Sequence, residues 1–557
     1  MEKCREYCLE IYALNDVHGR FFNTPHYDAA SVLSLANASG FLKVRREAVG
    51  DENVLLLDCG DNLQGDMAVD LSNRKVREDS SVEHFYSKVA RYLSIDAVVF
   101  GNHDFEAGHK VYDTIARRLQ EDGTAVLGAN VIETKTGKSY FAPYTMLHRG
   151  GLRVAVIGVT NPSTPRWITD DLWEWLEFAP IQPVVQPIID KIRRQGIADL
   201  VILMAHTGMG APGASDMDEN QALALAGSLN GVDVIVAGHD HKESCRRVGD
   251  TLVISASSHA ASIQRINVRV TEDVSGLHVT AVEGDIVQLE EYSADQEYLA
   301  AFREEIGEVE RYMHEPVGKL KGDMHALDAL FGVNDYVNLI HAVQLDATGA
   351  QISFASPYVY GAEFKAGPVE RKEIYRMYSC ENTLYKIRMT GRQIRDYLEY
   401  SYSKWVADFT PCKPSLLKLQ KTTFMGAEYF WPEHFTYNFD SAAGLDYQVD
   451  FTAAFGDRVR ILSLAGGAPF SEEEVYTVAL SSYRICGGGN LIDFGAGLDP
   501  SADLEQVTIK KYPLIRDLLE AFIRDGKDFY NVPGHWEFVP AELAGQLVAR
   551  ERKLLSV

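Results

Sequence analysis

The sequence has no apolar run approaching the roughly 20 residues needed to cross a bilayer, so neither a spanning helix nor a membrane partner is expected. Its first residues, Met1-Glu2-Lys3-Cys4-Arg5-Glu6-Tyr7-Cys8, lack an apolar signal core and lead almost at once into a strand pattern. Such a start predicts a cytoplasmic protein, or an exported one if a leader has been trimmed. Cysteine is scarce: Cys4, Cys8, Cys59, Cys245, Cys380, Cys412 and Cys486 form an odd, scattered set with no Cys-x-x-Cys pair. That argues against a disulfide framework or thiolate zinc site and predicts reduced thiols. Basic clusters are missing as well, against a formal net charge of −25. A polyanion binder needs such clusters, so nucleic-acid polymers are excluded as partners. Small anionic substrates remain open, because bound metal ions can dominate the local field.

What is present divides the chain. At 557 residues it is too long for one hydrophobic core, which predicts two domains and a connector. The first half repeats one pattern, a short apolar strand running into a loop rich in Asp, His, Asn and Gly. Residues 9–14 end at Asn15-Asp16-Val17-His18-Gly19, and residues 54–57 at Asp58-Cys59-Gly60-Asp61. Residues 97–100 end at Gly101-Asn102-His103-Asp104, 200–204 at Ala205-His206, and 232–236 at Ala237-Gly238-His239-Asp240-His241. Nearly continuous apolar strands between helical stretches indicate a sheet buried on both faces. Residues at the C-terminal ends of such strands converge on one rim. Residues 293–317 turn helical and charged, stopping near Pro316, which suits a connecting helix. Beyond them, residues 336–340 and 391–398 read as helices, and 384–388 and 476–480 as strands.

The five loops supply seven candidate metal ligands: Asp16, His18, Asp61, Asn102, His206, His239 and His241. Imidazole and carboxylate with almost no thiolate suit manganese, zinc, iron, cobalt or magnesium. A shared carboxylate such as Asp61 can bridge two ions about 3.5–4 Å apart, the separation of two-metal phosphoesterases. Any one of these loops alone would be an ordinary capping turn; five in order are not. Gly208-Met209-Gly210-Ala211-Pro212-Gly213 imitates a dinucleotide-binding turn, but Pro212 interrupts the expected helix start and His206 explains the loop better. No nicotinamide or flavin cofactor is expected.

Asp16-Val17-His18, Gly60-Asp61-Asn62-Leu63-Gln64-Gly65-Asp66, Gly101-Asn102-His103-Asp104, Ala205-His206 and Gly238-His239-Asp240-His241 resemble the calcineurin-like metallophosphoesterase signature in full and in order. The resemblance implies that Asp16, His18, Asp61 and His241 hold one ion and that Asp61, Asn102, His206 and His239 hold the other. It implies in-line attack of a metal-bound hydroxide on phosphorus. His103 would face the phosphoryl group, which fits general-acid or electrostatic roles. Glu106 would orient His103, at a position where the 5′-nucleotidases usually carry Asp, and Asp104 would be structural.

The second half is similar to the C-terminal domain of the 5′-nucleotidase family, with the 2′,3′-cyclic-nucleotide 2′-phosphodiesterase/3′-nucleotidase branch nearest. Residues 354–357, 382–384, 437–440 and 444–450 carry that likeness, together with Tyr483-Arg484-Ile485-Cys486-Gly487-Gly488. The implied fold is α/β. An αββα layered metallophosphoesterase domain spans residues 1–292, a connecting helix and hinge 293–330, and an α/β substrate-binding domain 331–557. That domain would rotate to carry substrate to the metals. Tyr483, Arg484, Gly487, Gly488, Asn382 and Cys380 are the implied substrate positions. Two departures stand out. Gly489 sits where 5′-nucleotidases proper carry an Asp for the ribose, and Cys380 sits where the family places a second base-stacking aromatic. Stacking is worth roughly 1–3 kcal/mol per base, so losing one face weakens nucleoside binding by about tenfold or more. The expected activity is hydrolysis of nucleotide phosphoesters. A 5′-nucleotidase, a nucleotide-sugar hydrolase, a phosphatase of another small ester and a nucleotide-sensing protein are the alternatives.

Overall fold

The computed structural model describes every residue except 1–4, 25–32, 169, 216, 274–275, 381, 425–426, 501–502 and 556–557, so Cys4 and Glu381 lie outside the described residues. The chain divides into two compact units, Met1–Tyr312 and Met313–Val557.

In the first unit the apolar runs become strands β1 (Arg5–Leu14), β2 (Val54–Asp58), β3 (Ala97–Val99) and β4 (Ala125–Leu127), then β5 (Tyr144–Arg149), β6 (Leu152–Val159), β7 (Leu200–Ala205) and β8 (Val234–Ala237). Strands β9 (Ser244–Val248), β10 (Thr251–Ser255), β11 (Ser262–Asp273) and β12 (Gly276–Gln288) follow, apart from a small sheet of the short strands Val131–Glu133, Lys138–Ser139 and Leu176–Phe178; β1 to β12 build the layers. They form two sheets, ordered β12-β11-β1-β2-β3-β4 and β9-β10-β8-β7-β6-β5. The central strands of both run parallel.

Side chains two apart share a sheet face, and that alternation builds the layers. Leu9, Ile11, Leu55, Leu57 and Val99 of the first sheet meet Val154, Val156, Ile202, Met204 and Val236 of the second. Each such buried side chain contributes about 1.5–3 kcal/mol. The opposite face of the second sheet, with Ile157, Val201, Leu203 and Ile235, lies under the helix Ile181–Gln195 through Val185, Ile189 and Ile192. On the outer face of the first sheet, Tyr12 meets Phe41 of the helix Leu35–Val49 edge to face at 5.1 Å. This is the αββα sandwich the resemblance implied.

The charged stretch after Ser293 forms two helices, Gln296–Ala301 and Arg303–Met313. Tyr298 is fully buried and donates to the Phe21 carbonyl at 2.9 Å, so this segment packs onto the first unit.

The second unit holds a sheet ordered β15-β13-β16-β14-β17, with β13 Ile352–Ala355, β14 Thr383–Thr390, β15 Ser441–Ala443, β16 Val475–Ser481 and β17 Thr508–Leu514. The helices foreseen near 336–340 and 391–398 are Asp335–Thr348 and Gly391–Trp405, the latter opened by a Thr390/Gln393 capping box. The run from Tyr483 to Gly488 begins inside a short helix, Ser482–Ile485; positive φ at Gly487 and Gly489 then turns the chain. Among the described residues no disulfide forms, and no helix is long and apolar enough to cross a membrane.

Candidate functional site

Each of the seven candidate ligands follows the C-terminal end of a strand: Asp16 and His18 after β1, Asp61 after β2, Asn102 after β3, His206 after β7, His239 and His241 after β8. Asp16, His18, Asp61, His239 and His241 hold left-handed backbone, with φ of 50°, 49°, 59°, 77° and 55°. That conformation costs an L-residue about 1–2 kcal/mol and persists where the surroundings over-determine it. Here the loops clamp each other. Asp16 N donates to the Gly60 carbonyl and His18 N to the Asp61 carbonyl, both at 2.9 Å, while His239 N donates to Asp16 Oδ2 at 2.9 Å. Asp104, fully buried, accepts the backbone N–H groups of Asp61, Asn62, Leu63 and Gly101 at 2.7–2.8 Å. Burial and the Asp61 charge push its carboxyl up to about 7. Those four donors offer a proton no acceptor, so the anion is the form that fits.

The donors gather into two groups, Asp16 with His18 and His241, and Asp61 with His206 and His239. Second contacts aim the imidazoles. His18 Nδ1 faces Gln64 Oε1 at 3.0 Å and His206 Nδ1 faces the Cys59 carbonyl at 2.7 Å. Each Nδ1 therefore carries the proton and each Nε2 presents its lone pair inward. His18 Nε2 then lies 3.1 Å from His241 Nε2, and His206 Nε2 lies 3.2 Å from Asn102 Oδ1 and 3.0 Å from Asp61 Oδ2. Electron-pair donors meeting head-on need a proton or a cation between them, and these clusters of imidazole and carboxylate fit divalent metal. The titration pattern differs between the two groups. Burial pushes His18 down to about 3 and lowers His241 too. Burial also opposes charge on His206, yet the Asp61 carboxylate lifts it to about 9. Gly101 leaves the space: a Cβ there would stand 2.1 Å from Asp61 Oδ1 and 2.5 Å from His206 Cε1.

His103 opens onto this cluster from a single helical turn, Asn102–Phe105. Its backbone N–H donates to Asp61 Oδ1 at 2.9 Å, its Nδ1 sits 2.8 Å from Glu106 Oε1, and its ring meets His18 edge to face at 5.5 Å. The Gly208–Gly213 loop starts no helix; Met209 N donates to Asp240 Oδ2 at 3.2 Å, tying the loop back to the ligand-bearing turn.

Three neighbours escaped the sequence reading. His259 (φ 59°) donates its N–H to the Asp16 carbonyl at 2.8 Å and stacks on His18 at 5.2 Å. Trp167 stacks on His239 at 5.4 Å, and Glu219 Oε1 lies 3.5 Å from His239 Nε2. His259 had a signal, a histidine shortly after the apolar run 251–255; Trp167 and Glu219 had none.

In the second unit Tyr483 Oη donates to Asn438 Oδ1 at 3.1 Å, and Gly488 packs flat beneath it, where a Cβ would meet the Tyr483 ring at 2.5 Å. Arg484 is buried. It grips Asp440 through Nε and Nη2 at 2.9 and 2.7 Å, and its Nη1 donates to the Gly488 carbonyl at 3.0 Å. Its contacts hold the loop together. Asn382 donates to Tyr378 Oη at 3.1 Å, and Tyr378 is itself buried against Tyr358. Half-buried Cys380 packs on the same apolar cluster as Tyr437. Tyr437 meets Tyr483 edge to face at 6.0 Å and carries Phe435 stacked on it at 5.2 Å, with Phe435 71% exposed.

Residues 9–243 match the model of the calcineurin-like phosphoesterase family, and residues 316–495 match that of the 5′-nucleotidase C-terminal domain. The trifunctional nucleotide phosphoesterase protein YfkN of Bacillus subtilis is 23% identical over 539 residues; the match covers 86% of this chain and 36% of YfkN, so the chain spans about a third of that relative's length. The 2′,3′-cyclic-nucleotide 2′-phosphodiesterase/3′-nucleotidase of Salmonella typhimurium is 22% identical over 546 residues, covering 86% of this chain and 81% of that one. A crystal structure from Staphylococcus aureus, provisionally named a 5′-nucleotidase and solved with alpha-ketoglutarate, superposes with a TM-score of 0.71 at 20% identity, covering 96% of this chain and 99% of that one. At that identity the likeness speaks for the fold alone.

Proposed function

The chain belongs to the calcineurin-like phosphoesterases that carry a 5′-nucleotidase C-terminal domain, and we propose that it hydrolyses nucleotide phosphoesters, 2′,3′-cyclic nucleotides and 3′-nucleotides first. The observation carrying this reading is the pair of donor groups, Asp16–His18–His241 and Asp61–His206–His239, gathered from separate strand ends. Asp16, His18, Asp61 and His241 would hold one divalent ion; Asp61, Asn102, His206 and His239 would hold the other. Bound there, manganese, zinc, iron, cobalt or magnesium would activate water and polarise phosphate oxygens.

The chain's own groups supply the rest. Glu106 fixes the His103 ring through Nδ1, which makes Nε2 the nitrogen that donates to the phosphoryl or leaving oxygen. Tyr483 offers a ring face to the base, and Tyr437 with exposed Phe435 supplies aromatic surface beside Cys380, where the family's second stacking ring is missing.

Phosphate release with manganese tests the reading on 2′,3′-cyclic AMP, 3′-AMP, 5′-AMP, UDP-glucose and an aryl phosphate. Preference for the first two is expected. Turnover of the aryl phosphate alone would overturn the nucleotide assignment. Preference for 5′-AMP or UDP-glucose would establish the second reading, a 5′-nucleotidase or nucleotide-sugar hydrolase, which the missing aromatic at Cys380 keeps open.

A further inference from the structure

We propose that Trp167 and Glu219 are positioning residues for His239, a clasp that turns one ring nitrogen toward the ion assigned to Asp61, Asn102, His206 and His239. Their role rests on the two-metal reading above. A histidine that binds metal is aimed by what its other nitrogen touches. His18 and His206 take that aim through Nδ1, from Gln64 and the Cys59 carbonyl. His239 takes it through the other nitrogen. Its Nε2 faces Glu219 Oε1 at 3.5 Å, and Trp167 stacks along its ring at 5.4 Å with the planes 27° apart. A carboxylate oxygen only accepts, so the proton belongs on Nε2 and the lone pair is left on Nδ1. His239 therefore carries the tautomer opposite to that of His18 and His206.

The fold knots the two supporting loops together beside the site. The Glu219 carbonyl accepts from Asn161 Nδ2 at 2.9 Å and from Thr207 Oγ1 at 2.7 Å. Asn161 opens the loop that carries Trp167, and Thr207 follows the candidate ligand His206. Ser163 Oγ donates to the Met217 carbonyl at 2.8 Å, and Trp167 N closes a tight turn on the Thr164 carbonyl at 3.1 Å. The glycines that imitated a dinucleotide-binding turn find their use here. A Cβ at Gly208 would stand 2.0 Å from Asn220 Oδ1 and 2.7 Å from Asp240 Cβ, and one at Gly210 would stand 1.9 Å from the Asn220 carbonyl oxygen. Glycine at both positions lets the segment bearing Glu219 lie against the ligand-bearing loops. The Asn220 side-chain amide, 3.5 Å from Glu219 Oε1, shares that oxygen with the imidazole.

His241 has no such clasp among the described residues. Its side chain is 40% exposed against 11% for His239, and it meets the imidazoles of His18 and His259 and the Asp16 carboxylate. Removing the clasp therefore loosens one ion and leaves the other as it was.

The test titrates manganese into the full-length, metal-stripped chain and reads the free ion by electron paramagnetic resonance. It compares wild type with Glu219→Ala, Glu219→Gln, Trp167→Ala and Trp167→Phe, each checked for native circular dichroism. Two bound ions per wild-type chain are expected. One of them should be held about 10–100-fold more weakly in Glu219→Ala and in Trp167→Ala, with the other unchanged. Glu219→Gln keeps an acceptor for Nε2 and Trp167→Phe keeps a ring face, so both should recover most of the affinity. The Glu219 side chain is 50% exposed, so its variants decide the matter if Trp167→Ala fails to fold. Wild-type affinity in Glu219→Ala, or equal weakening of both ions, overturns the clasp and leaves the proposed function standing. A wild-type chain that binds no manganese overturns both. Selective weakening in a chain that hydrolyses no nucleotide keeps the clasp and loses the nucleotide assignment.

Discussion

Asp104→Asn isolates what holds the bridging carboxylate in place. Asp104 Oδ1 accepts the N–H groups of Asn62 and Leu63, and Oδ2 accepts those of Asp61 and Gly101. Asparagine keeps the shape but turns one oxygen into a donor, so two N–H groups face an NH2 inside a fully buried site. Hydrogen bonds to a charged acceptor are worth about 1.5–3 kcal/mol each, which puts the loss at about 3–6 kcal/mol. The same bonds fix the backbone of Asp61, and a displacement of about 1 Å at a catalytic group costs on the order of 100-fold in rate. Denaturant unfolding of the first unit, read with and without manganese beside phosphate release at saturating metal, should show both losses. A variant within about 1 kcal/mol of wild type, below the worth of one such bond, and equal to it in turnover would refute the argument that Asp104 is the anchor.

Gly101→Ala should drive Asp61 and His206 off their positions, since its Cβ would lie 2.1 Å and 2.5 Å from their side chains; metal content by mass spectrometry and turnover should fall together, and retention of both would contradict the crowding. His103→Ala should lose about 10²–10⁴-fold in turnover with metal content unchanged, and unaltered phosphate release would remove His103 from the chemistry. His84 is buried with Nδ1 accepting the Tyr86 N–H, and burial pushes it down to about 3. Below its ordinary value near 6.5 the unfolded chain binds a proton that the folded chain refuses, so stability falls with pH by about 1.4 kcal/mol per unit. His84→Asn should lessen the drop between pH 6.5 and 5 by about 2 kcal/mol, and identical denaturation curves at both pH values would sink the assignment. Asp440→Asn strands the buried Arg484 guanidinium and should destabilise the second unit by about 3–5 kcal/mol; an unchanged unfolding midpoint would show that the pair is dispensable.

The sequence by itself determined the strands of the first unit and the residues standing at their ends. Both are local facts: alternation and apolar runs set a strand, and Asp, His and Asn at its exit are written in the next few letters. Tertiary structure alone decided how those residues are aimed. His206 receives its tautomer from the Cys59 carbonyl and His18 from Gln64, partners the fold brings together from distant parts of the chain. It likewise made Arg484, in the sequence an implied substrate position, the buried partner of Asp440. It also set Tyr437 and Phe435 beside Tyr483 and His259 against His18. A ligand's element and chemistry are fixed within a few residues; its hydrogen-bond partner, exposure and neighbours depend on which distant segments pack against it, and only the folded core selects those.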